Sequence, residues 1–301
     1  MDVPVLVSPA AGRGRARAAT GAVLEALRGG GLSPRILSAT TREDAERQAA
    51  DAVAEGAGAL VALGGDGAAH AVLQAVARTR TPMAVLPAGT GNDLALALGI
   101  PVDPVAAARA AAADLLEGRS TVVDAGRTGG RWWATVLCCG FDSAVTDRAN
   151  RLRWPRGRRR YDVAILAELA RLQPREVTMV LDGAEQTVPV TLVAVGNTPW
   201  YGGGMRVCPD ADPADGCFDV TVVGPMSRRE LIRSRPRLTA GTHVDHPSVM
   251  TYRAARVGLS ARGLTTYADG ELVAALPVTT ECVRGAVRVL GAGRTTPAAE
   301  R

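Results

Sequence analysis

The 301-residue sequence contains no lysine; all 35 of its basic side chains belong to arginine. Rings are scarce as well, at 3% aromatic residues against 47% hydrophobic, so a core made by this chain consists mostly of Ala, Val and Leu. The five cysteines, Cys138, Cys139, Cys208, Cys217 and Cys282, include no Cys-x-x-Cys pair and leave an odd one over. Reduced thiols in a cytoplasmic protein fit this best. No apolar run reaches the ~18 residues of a transmembrane helix, so any membrane contact is expected to be peripheral. The net charge of +5 carries little information about partners, because an arginine bias beside abundant Ala and Gly reads first as GC-rich coding. At ~150 residues per domain the length suggests two domains or one large one.

What is present is concentrated between residues 60 and 100. Two short apolar stretches, 60–63 and 83–86, each run into a glycine-rich turn that opens a helical pattern. The first turn is Gly64-Gly65-Asp66-Gly67, with helical periodicity following over 69–76. The second runs through Gly89-Thr90-Gly91, with Asn92 and Asp93 where a helix N-terminus would be capped. A glycine turn between strand and helix lets backbone N–H groups converge on an anion, and the helix dipole favours negative charge there. Two such turns side by side make a phosphate cradle, whereas either alone is equally a tight connection with an Asp cap.

Around this pair the chain keeps a βα rhythm. A strand over 3–7 leads through Ser8-Pro9-Ala10-Ala11-Gly12 into a helix over 15–28. A strand over 35–38 then precedes a helix that Thr40-Thr41 would cap, with Glu43, Asp44 and Glu46 in its first turn. An alanine-rich helix runs from Asp103-Pro104 to 116, and 120–124 is a further strand. The order implies a parallel, doubly wound α/β domain with its ligand at the carboxyl ends of the strands, the edge that carries both glycine turns. From Asp124 onward short β-rich runs take over, at 132–138, 177–181, 187–196, 218–223 and 255–260, broken by one helix over 161–172. This predicts an antiparallel second domain, a sandwich of two sheets. A closing strand spans 286–290, and the tail beyond Gly291 is rich in Gly, Thr, Pro and Ala. The densest charge run, 148–160, sets Arg148, Arg151, Arg153, Arg156, Arg158, Arg159 and Arg160 around Leu152 and Trp154. It reads either as an anchor on anionic lipid, at about 1 kcal/mol per basic residue, or as a solvated loop. No groove-reading motif accompanies it, so nucleic acid is not an expected partner.

Together the Gly-Gly-Asp-Gly and Gly-Thr-Gly-Asn-Asp turns resemble the catalytic domain of the diacylglycerol kinase family, lipid kinases that include sphingosine and bacterial diacylglycerol kinases. NAD kinases and phosphofructokinases are more distantly similar and share only the first turn. Four more positions follow the family's order: Ser8-Pro9-Ala10-Ala11-Gly12, Gly140-Phe141-Asp142, the stretch from Gly196-Asn197 through Gly202-Gly203-Gly204 to Asp219, and Asp269-Gly270-Glu271. The resemblance spans nearly the whole chain. It implies an NAD-kinase-like α/β nucleotide-binding domain over 1–123 with 286–301, a β-rich lipid- or acceptor-binding domain over 124–285, and nucleotide in the cleft between them.

The activity implied by the resemblance is transfer of the γ-phosphate of ATP, with Mg2+, to a lipid hydroxyl, diacylglycerol by default. Nucleotide contacts fall on Ser8, Pro9, Ala10, Ala11, Gly12, Thr40 (or Thr41), Gly64, Gly65, Asp66, Gly67, Gly89, Thr90 and Asn92. Asp269 inherits the role of the base that takes the lipid proton, and Glu271 joins an acidic network with Asp66 and Asp93; read alone, Asp-Gly-Glu is a type I′ hairpin turn. Asp212, Asp215 and the carbonyl of Cys217 inherit an oxygen cage for structural magnesium. The partner implied is a lipid at the membrane surface, reached transiently through 148–160, and a homodimer is left open. Ser8, Ala68 and Ala71 stand where the family has Asn, Thr and Glu. Two other readings therefore stay open: an NAD-kinase-like or small-alcohol kinase, and a degenerate kinase fold that binds lipid or nucleotide. Retention of all four carboxylates argues against the second.

Overall fold

The computed structural model describes residues 1–8, 11–152, 154 and 158–293; Pro9, Ala10, Arg153, Arg156 and the closing residues 294–301 lie outside the described residues. The chain divides into two compact units, Met1–Ala125 with Gly202–Gly204 and Val283–Arg301, and Gly126–Tyr201 with Met205–Cys282. The divisions fall at 125/126 and 282/283, where the sequence pattern places them at 123/124 and 285/286, and Gly202–Gly204 groups with the first unit.

The first unit runs β1 (Asp2–Val7), α1 (Arg15–Gly29), β2 (Ser33–Leu37), α2 (Arg42–Ala54), β3 (Leu60–Gly64), α3 (Asp66–Val76), β4 (Met83–Pro87), α4 (Asp93–Ala97) and α5 (Pro104–Leu116). Every residue of β3 and β4 is buried, as strands of a parallel sheet covered on both faces must be. Helix starts are set by short polar side chains. The Thr41 hydroxyl accepts from the Asp44 N–H at 3.1 Å, and Asp103 accepts from the Ala106 N–H at 2.8 Å ahead of Pro104. The strand order is β2-β1-β3-β4, all parallel. Helix α1 packs with α5 and α2 with α3, the arrangement that right-handed crossovers place on opposite faces. The chain steps to one side of β1 to make β2 and to the other to make β3. The crevice at the carboxyl ends of β1 and β3 is therefore the topological switch point, where such sheets bind ligands.

The second unit begins within β5 (Thr121–Thr128). It continues through β6 (Arg131–Trp133), β7 (Val136–Gly140), α6 (Phe141–Arg151), α7 (Arg158–Ala170), β8 (Arg175–Leu181), β9 (Ala184–Val190), β10 (Leu192–Gly196), β11 (Trp200–Tyr201) and β12 (Met205–Arg206). After these come β13 (Phe218–Val223), α8 (Arg228–Ala240), β14 (Val249–Ala254), β15 (Arg256–Ser260), β16 (Thr265–Ala268), β17 (Glu271–Ala275) and β18 (Val278–Leu290). One sheet has the order β14-β13-β10-β7-β16-β17, and in another the first half of β18 pairs antiparallel with β15, β15 with β8, and β8 with β9. Alternate residues of both, among them Val177, Met179, Val193, Val195, Val220 and Val257, meet in one core with Trp133 stacked on Phe218 at 5.0 Å. This is the β sandwich expected. The last residues of β18, Val289 and Leu290, pair parallel with Met83 and Ala84 of β4 in the first unit's sheet.

Two expectations are corrected. Among the described residues the second unit has three helices of several turns, not one. Helices α6 and α8 escape a periodicity reading because both stretches are polar overall; α8 has no buried residue at all. The signal that could have found α8 is its capping box, in which Ser227 and Glu230 each accept from the other's backbone N–H. The single strands expected over 132–138 and 187–196 are each two, interrupted at Ala134-Thr135 and at Thr191.

In α6, half-buried Asp142 accepts a hydrogen bond from the Tyr201 hydroxyl, and burial nevertheless pushes its carboxyl up from 3.8 to about 6. The folded chain thus holds this proton more tightly than the unfolded chain, so stability falls as pH rises from about 4 to about 6. Asp142→Asn removes the charging step. At roughly 1.4 kcal/mol per pKa unit, the variant is expected to be more stable than the parent by ~2–3 kcal/mol above pH 7, and to converge with it below pH 4. Urea unfolding across that range checks this, and a pH-independent difference would exclude it.

Candidate functional site

Three loops converge at the carboxyl edge of the first unit's sheet. The loop after β1 is laced to β3 by the Ser8 N–H, which donates to the Leu63 carbonyl at 3.0 Å. The loop after β4 is laced to the end of β3 by the Ala88 N–H, which donates to the Gly64 carbonyl at 2.7 Å. Only glycine fits where these loops meet. A Cβ on Gly89 would lie 2.4 Å from the Cα of Gly65, and one on Gly65 would lie 2.9 Å from the carbonyl oxygen of Gly91. Gly12 has φ +59°, and a Cβ there would lie 2.1 Å from the Ala88 carbonyl oxygen. The Arg15 guanidinium donates to the Gly89 carbonyl, tying the start of α1 to the second glycine turn.

Asp66 is the first residue of α3, half-buried, and accepts from the Leu94 N–H of α4 at 3.4 Å. Asn92 does not cap α4 as the sequence pattern suggests. Its side-chain oxygen accepts from the Gly89 N–H at 3.0 Å and its amide donates to the Gly89 carbonyl at 3.3 Å, which braces the turn on itself. Asp93 is buried and accepts from the N–H groups of Gly203 and Gly204 at 2.9 and 2.8 Å. Gly67 and Thr90 are exposed on the two turns, and Ala11 and Gly12 are half-buried on the first loop. Of the paired threonines, Thr41 commits its hydroxyl to the α2 cap, whereas the Thr40 N–H donates to Asp44 at 3.2 Å. His70 is a core residue of α3, bonded to Gln74.

In the second unit Asp269 and Gly270 form the two-residue turn between β16 and β17, with φ 53° and 82°. Both are left-handed, as a type I′ hairpin requires. The Asp269 carboxylate accepts from the Ala134 N–H at 3.0 Å, the Thr135 N–H at 2.9 Å and the Thr135 hydroxyl at 2.6 Å. Glu271 follows as the first residue of β17, half-buried and paired across the turn with Ala268. Thr135 and Ala134 lie in the interrupted strand, and nothing in a periodicity reading singles them out.

The loop that the resemblance assigns to a structural cation carries several polar contacts. Asp212 accepts from the Ala214 N–H and Asp215 from the Cys217 N–H, each at 2.9 Å, and Asp215 is ion-paired with Arg253. Burial raises the Asp219 carboxyl; Arg253 opposes this, while Asp215, Asp210 and Asp212 add to it. A guanidinium already offsets this cluster of charge, and among the described residues no group of three or more His, Cys, Asp or Glu side chains is placed to hold a metal. Thiol chemistry is also disfavoured, since burial pushes Cys139 and Cys208 up to about 12 and raises Cys138 well above its ordinary range.

Comparison with known proteins agrees with this anatomy. The diacylglycerol kinase catalytic domain model matches residues 2–128, and the YegS C-terminal NAD kinase beta sandwich-like domain model matches residues 135–291. A diacylglycerol kinase of Mycobacterium tuberculosis H37Rv is 40% identical over 294 residues, covering 96% of this chain and 94% of that one. The chain belongs to the diacylglycerol kinase family. Its other relatives include a diacylglycerol kinase of Bacillus subtilis, 27% identical over 91% of this chain and 90% of that one. The fold is shared with a crystal structure of a diacylglycerol kinase from Bacillus anthracis, at a TM-score of 0.75, 18% identity and 98% coverage of each chain. This family member is accordingly a phosphotransferase acting on an alcohol group, and a kinase of this family uses ATP, typically with a divalent metal ion. No helix among the described residues is long and apolar enough to cross a membrane.

The contact between the two glycine turns makes a sharp prediction for this kinase. In Gly89→Ala the new methyl meets the main chain of Gly65, which no side-chain rotation can relieve, so a loss of ~2–3 kcal/mol is expected. Gly21→Ala, in α1 with nothing within 4 Å of its Cβ, is expected to be neutral or stabilising by up to ~1 kcal/mol. Thermal melts of the pair check this; equal midpoints would mean that the turns do not abut.

Proposed function

We propose that this protein transfers the γ-phosphate of ATP, supplied as its magnesium complex, to the hydroxyl of diacylglycerol. The observation that carries the reading is the convergence of three strand-to-helix loops at the switch point, where glycines admit a ligand to the main chain and α3 directs its N-terminus. Ser8, Ala11, Gly12, Gly64, Gly65, Gly67, Gly89, Thr90 and Asn92 surround the phosphates in this reading, with Thr40 the threonine left to reach the nucleotide. Pro9 and Ala10 lie outside the described residues, between members of this set. Magnesium offsets charge on the transferring phosphoryl group. Asp66 and Asp93 orient the phosphate end, Asp269 accepts the proton of the attacking hydroxyl, and Glu271 belongs with Asp66 and Asp93 to the acidic network. Diacylglycerol is the preferred acceptor because the Mycobacterium relative, which this chain matches almost end to end, carries that name.

Access to such an acceptor is proposed to come from helices α6–α8. Trp154, Leu166 and Ile232 are 81%, 68% and 58% exposed, and the same segments of sequence carry Arg151, Arg159, Arg160, Arg229, Arg233 and Arg237. The Arg228 guanidinium donates to the Ala170 carbonyl at 2.7 Å, joining α8 to the end of α7. Arg153 and Arg156, within the same run, lie outside the described residues. Exposed apolar side chains beside arginines suit an anionic bilayer surface.

The test is transfer of labelled γ-phosphate from Mg-ATP to a panel of lipid alcohols in mixed micelles, with Asp269→Ala beside the parent. Label in diacylglycerol, reduced at least 100-fold in the variant with ATP affinity retained, is the expected result. Label in NAD instead, or ATP binding with no acceptor labelled, would replace this reading. Trp154→Ala is expected to lower sedimentation with phosphatidylglycerol vesicles several-fold while sparing activity on a short-chain, water-soluble diacylglycerol. Unchanged sedimentation would remove this face from the account.

A further inference from the structure

The β strand expected over 132–138 is broken at Ala134-Thr135, and the break has a use. Both N–H groups at the break turn toward the β16–β17 hairpin and grip the Asp269 carboxylate, Ala134 at one oxygen and Thr135 at the other. The Thr135 hydroxyl adds a third donor, at 2.6 Å from the oxygen that its own N–H contacts. The loop is held from behind in turn. The Thr135 carbonyl accepts from the N–H groups of Asn197 and Thr198 at 2.8 and 3.1 Å, and the Ala134 carbonyl accepts from the Asn197 side-chain amide at 2.9 Å. Asn197 is 1% exposed.

We infer that Thr135 is a positioning residue for phosphoryl transfer, its hydroxyl fixing the orientation of the Asp269 carboxylate on a loop that Asn197 holds in place. The inference rests on the reading of Asp269 as the base. A side chain on a two-residue turn otherwise samples several staggered rotamers, and a base off its line of attack loses much of its effect. Threonine suits the task because its branched Cβ leaves few χ1 states, so the hydroxyl is itself preset. Thr135 is buried and is followed by Val136, Leu137, Cys138 and Cys139; valine would match its shape, which leaves the hydroxyl as the reason for threonine. Every contact in this chain of support lies within the second unit, so ATP affinity should not feel its loss.

The experiment compares kcat and the ATP KM of the parent, T135S, T135V and D269N, using dioleoylglycerol or whichever lipid of the panel takes label, with a melt of each. T135S is expected within about threefold of the parent. T135V is expected to lose roughly ten- to hundred-fold in kcat, the scale of one hydrogen bond to a charged group, with ATP KM unchanged and Tm close to the parent. Parental kcat in T135V beside an inactive D269N overturns the positioning role and leaves the base standing. Equal losses in T135S and T135V also overturn it, because the hydroxyl is then irrelevant. Parental kcat in D269N overturns the base reading and this inference with it. Should T135V not fold, T135A makes the same comparison against T135S.

Discussion

The rest of the first unit depends on two backbone turns lying against each other with no side chain between them. Gly65 and Gly89 approach so closely that neither tolerates a Cβ, and Asn92, Arg15 and the Ser8 and Ala88 N–H groups tie the surrounding loops to the same point. Parallel strands put the ends of β3 and β4 a strand spacing apart, about 4.8 Å. Side chains at that separation would fill the edge, whereas glycines leave main-chain groups facing outward. The site and the sheet therefore share one constraint: β3 and β4 must pair in register for the turns to meet, and the turns must be glycine for the strands to end there.

A second regularity follows from the composition. In a chain without lysine, buried or half-buried carboxylates recur as acceptors for main-chain N–H groups. Asp93 holds Gly203 and Gly204, Asp114 holds Gly291, Asp124 holds Gly285, and Asp269 holds Ala134 and Thr135. A carboxylate that gathers backbone donors has much of its desolvation cost offset and sets the path of an irregular segment at the same time. Asp93 shows the consequence for function. The group that the family pattern assigns to catalysis also fixes the Gly202–Gly204 turn within the first unit, so its replacement will move structure as well as chemistry.

The α/β half was largely legible because its elements are local: apolar strands, capped helices and glycine turns recur at short spacing. Within the site, Asp66, Gly65 and Gly89 could be read from the motif, but the brace from Asn92 to Gly89 could not, since a helix-opening asparagine ordinarily signals a cap. In the sandwich the strands at 218–223 and 255–260 were readable, while α6 and α8 were not, because both stretches are polar overall and bury few large apolar side chains: α6 buries Ser143, Val145 and Ala149, and α8 buries none. The break at Ala134-Thr135 was hidden for a different reason. Its residues continue the strand composition on both sides, and what interrupts the pairing is Asp269, more than a hundred residues away in sequence. Local patterns cannot report a partner supplied by another hairpin, and sites where a local rule fails are where function is expected.

Ser8, Ala68 and Ala71 depart from the family pattern. A Cβ on Gly64 would lie 2.8 Å from the Cβ of Ala68 and 3.1 Å from that of Ser8, so the Ala68 and Ser8 side chains both lie close against Gly64. Ala68 and Ala71 are buried, and the Ser8 N–H is spent on the Leu63 carbonyl. The substitutions thus change the filling behind the turns and leave the main chain in front of them as it was. A phosphate recognised through backbone N–H groups and a helix N-terminus is indifferent to much of that filling, because the donors belong to every residue type except proline. Loss of the usual threonine and glutamate is therefore a weaker argument for a degenerate enzyme than loss of Gly65 or Gly89 would be.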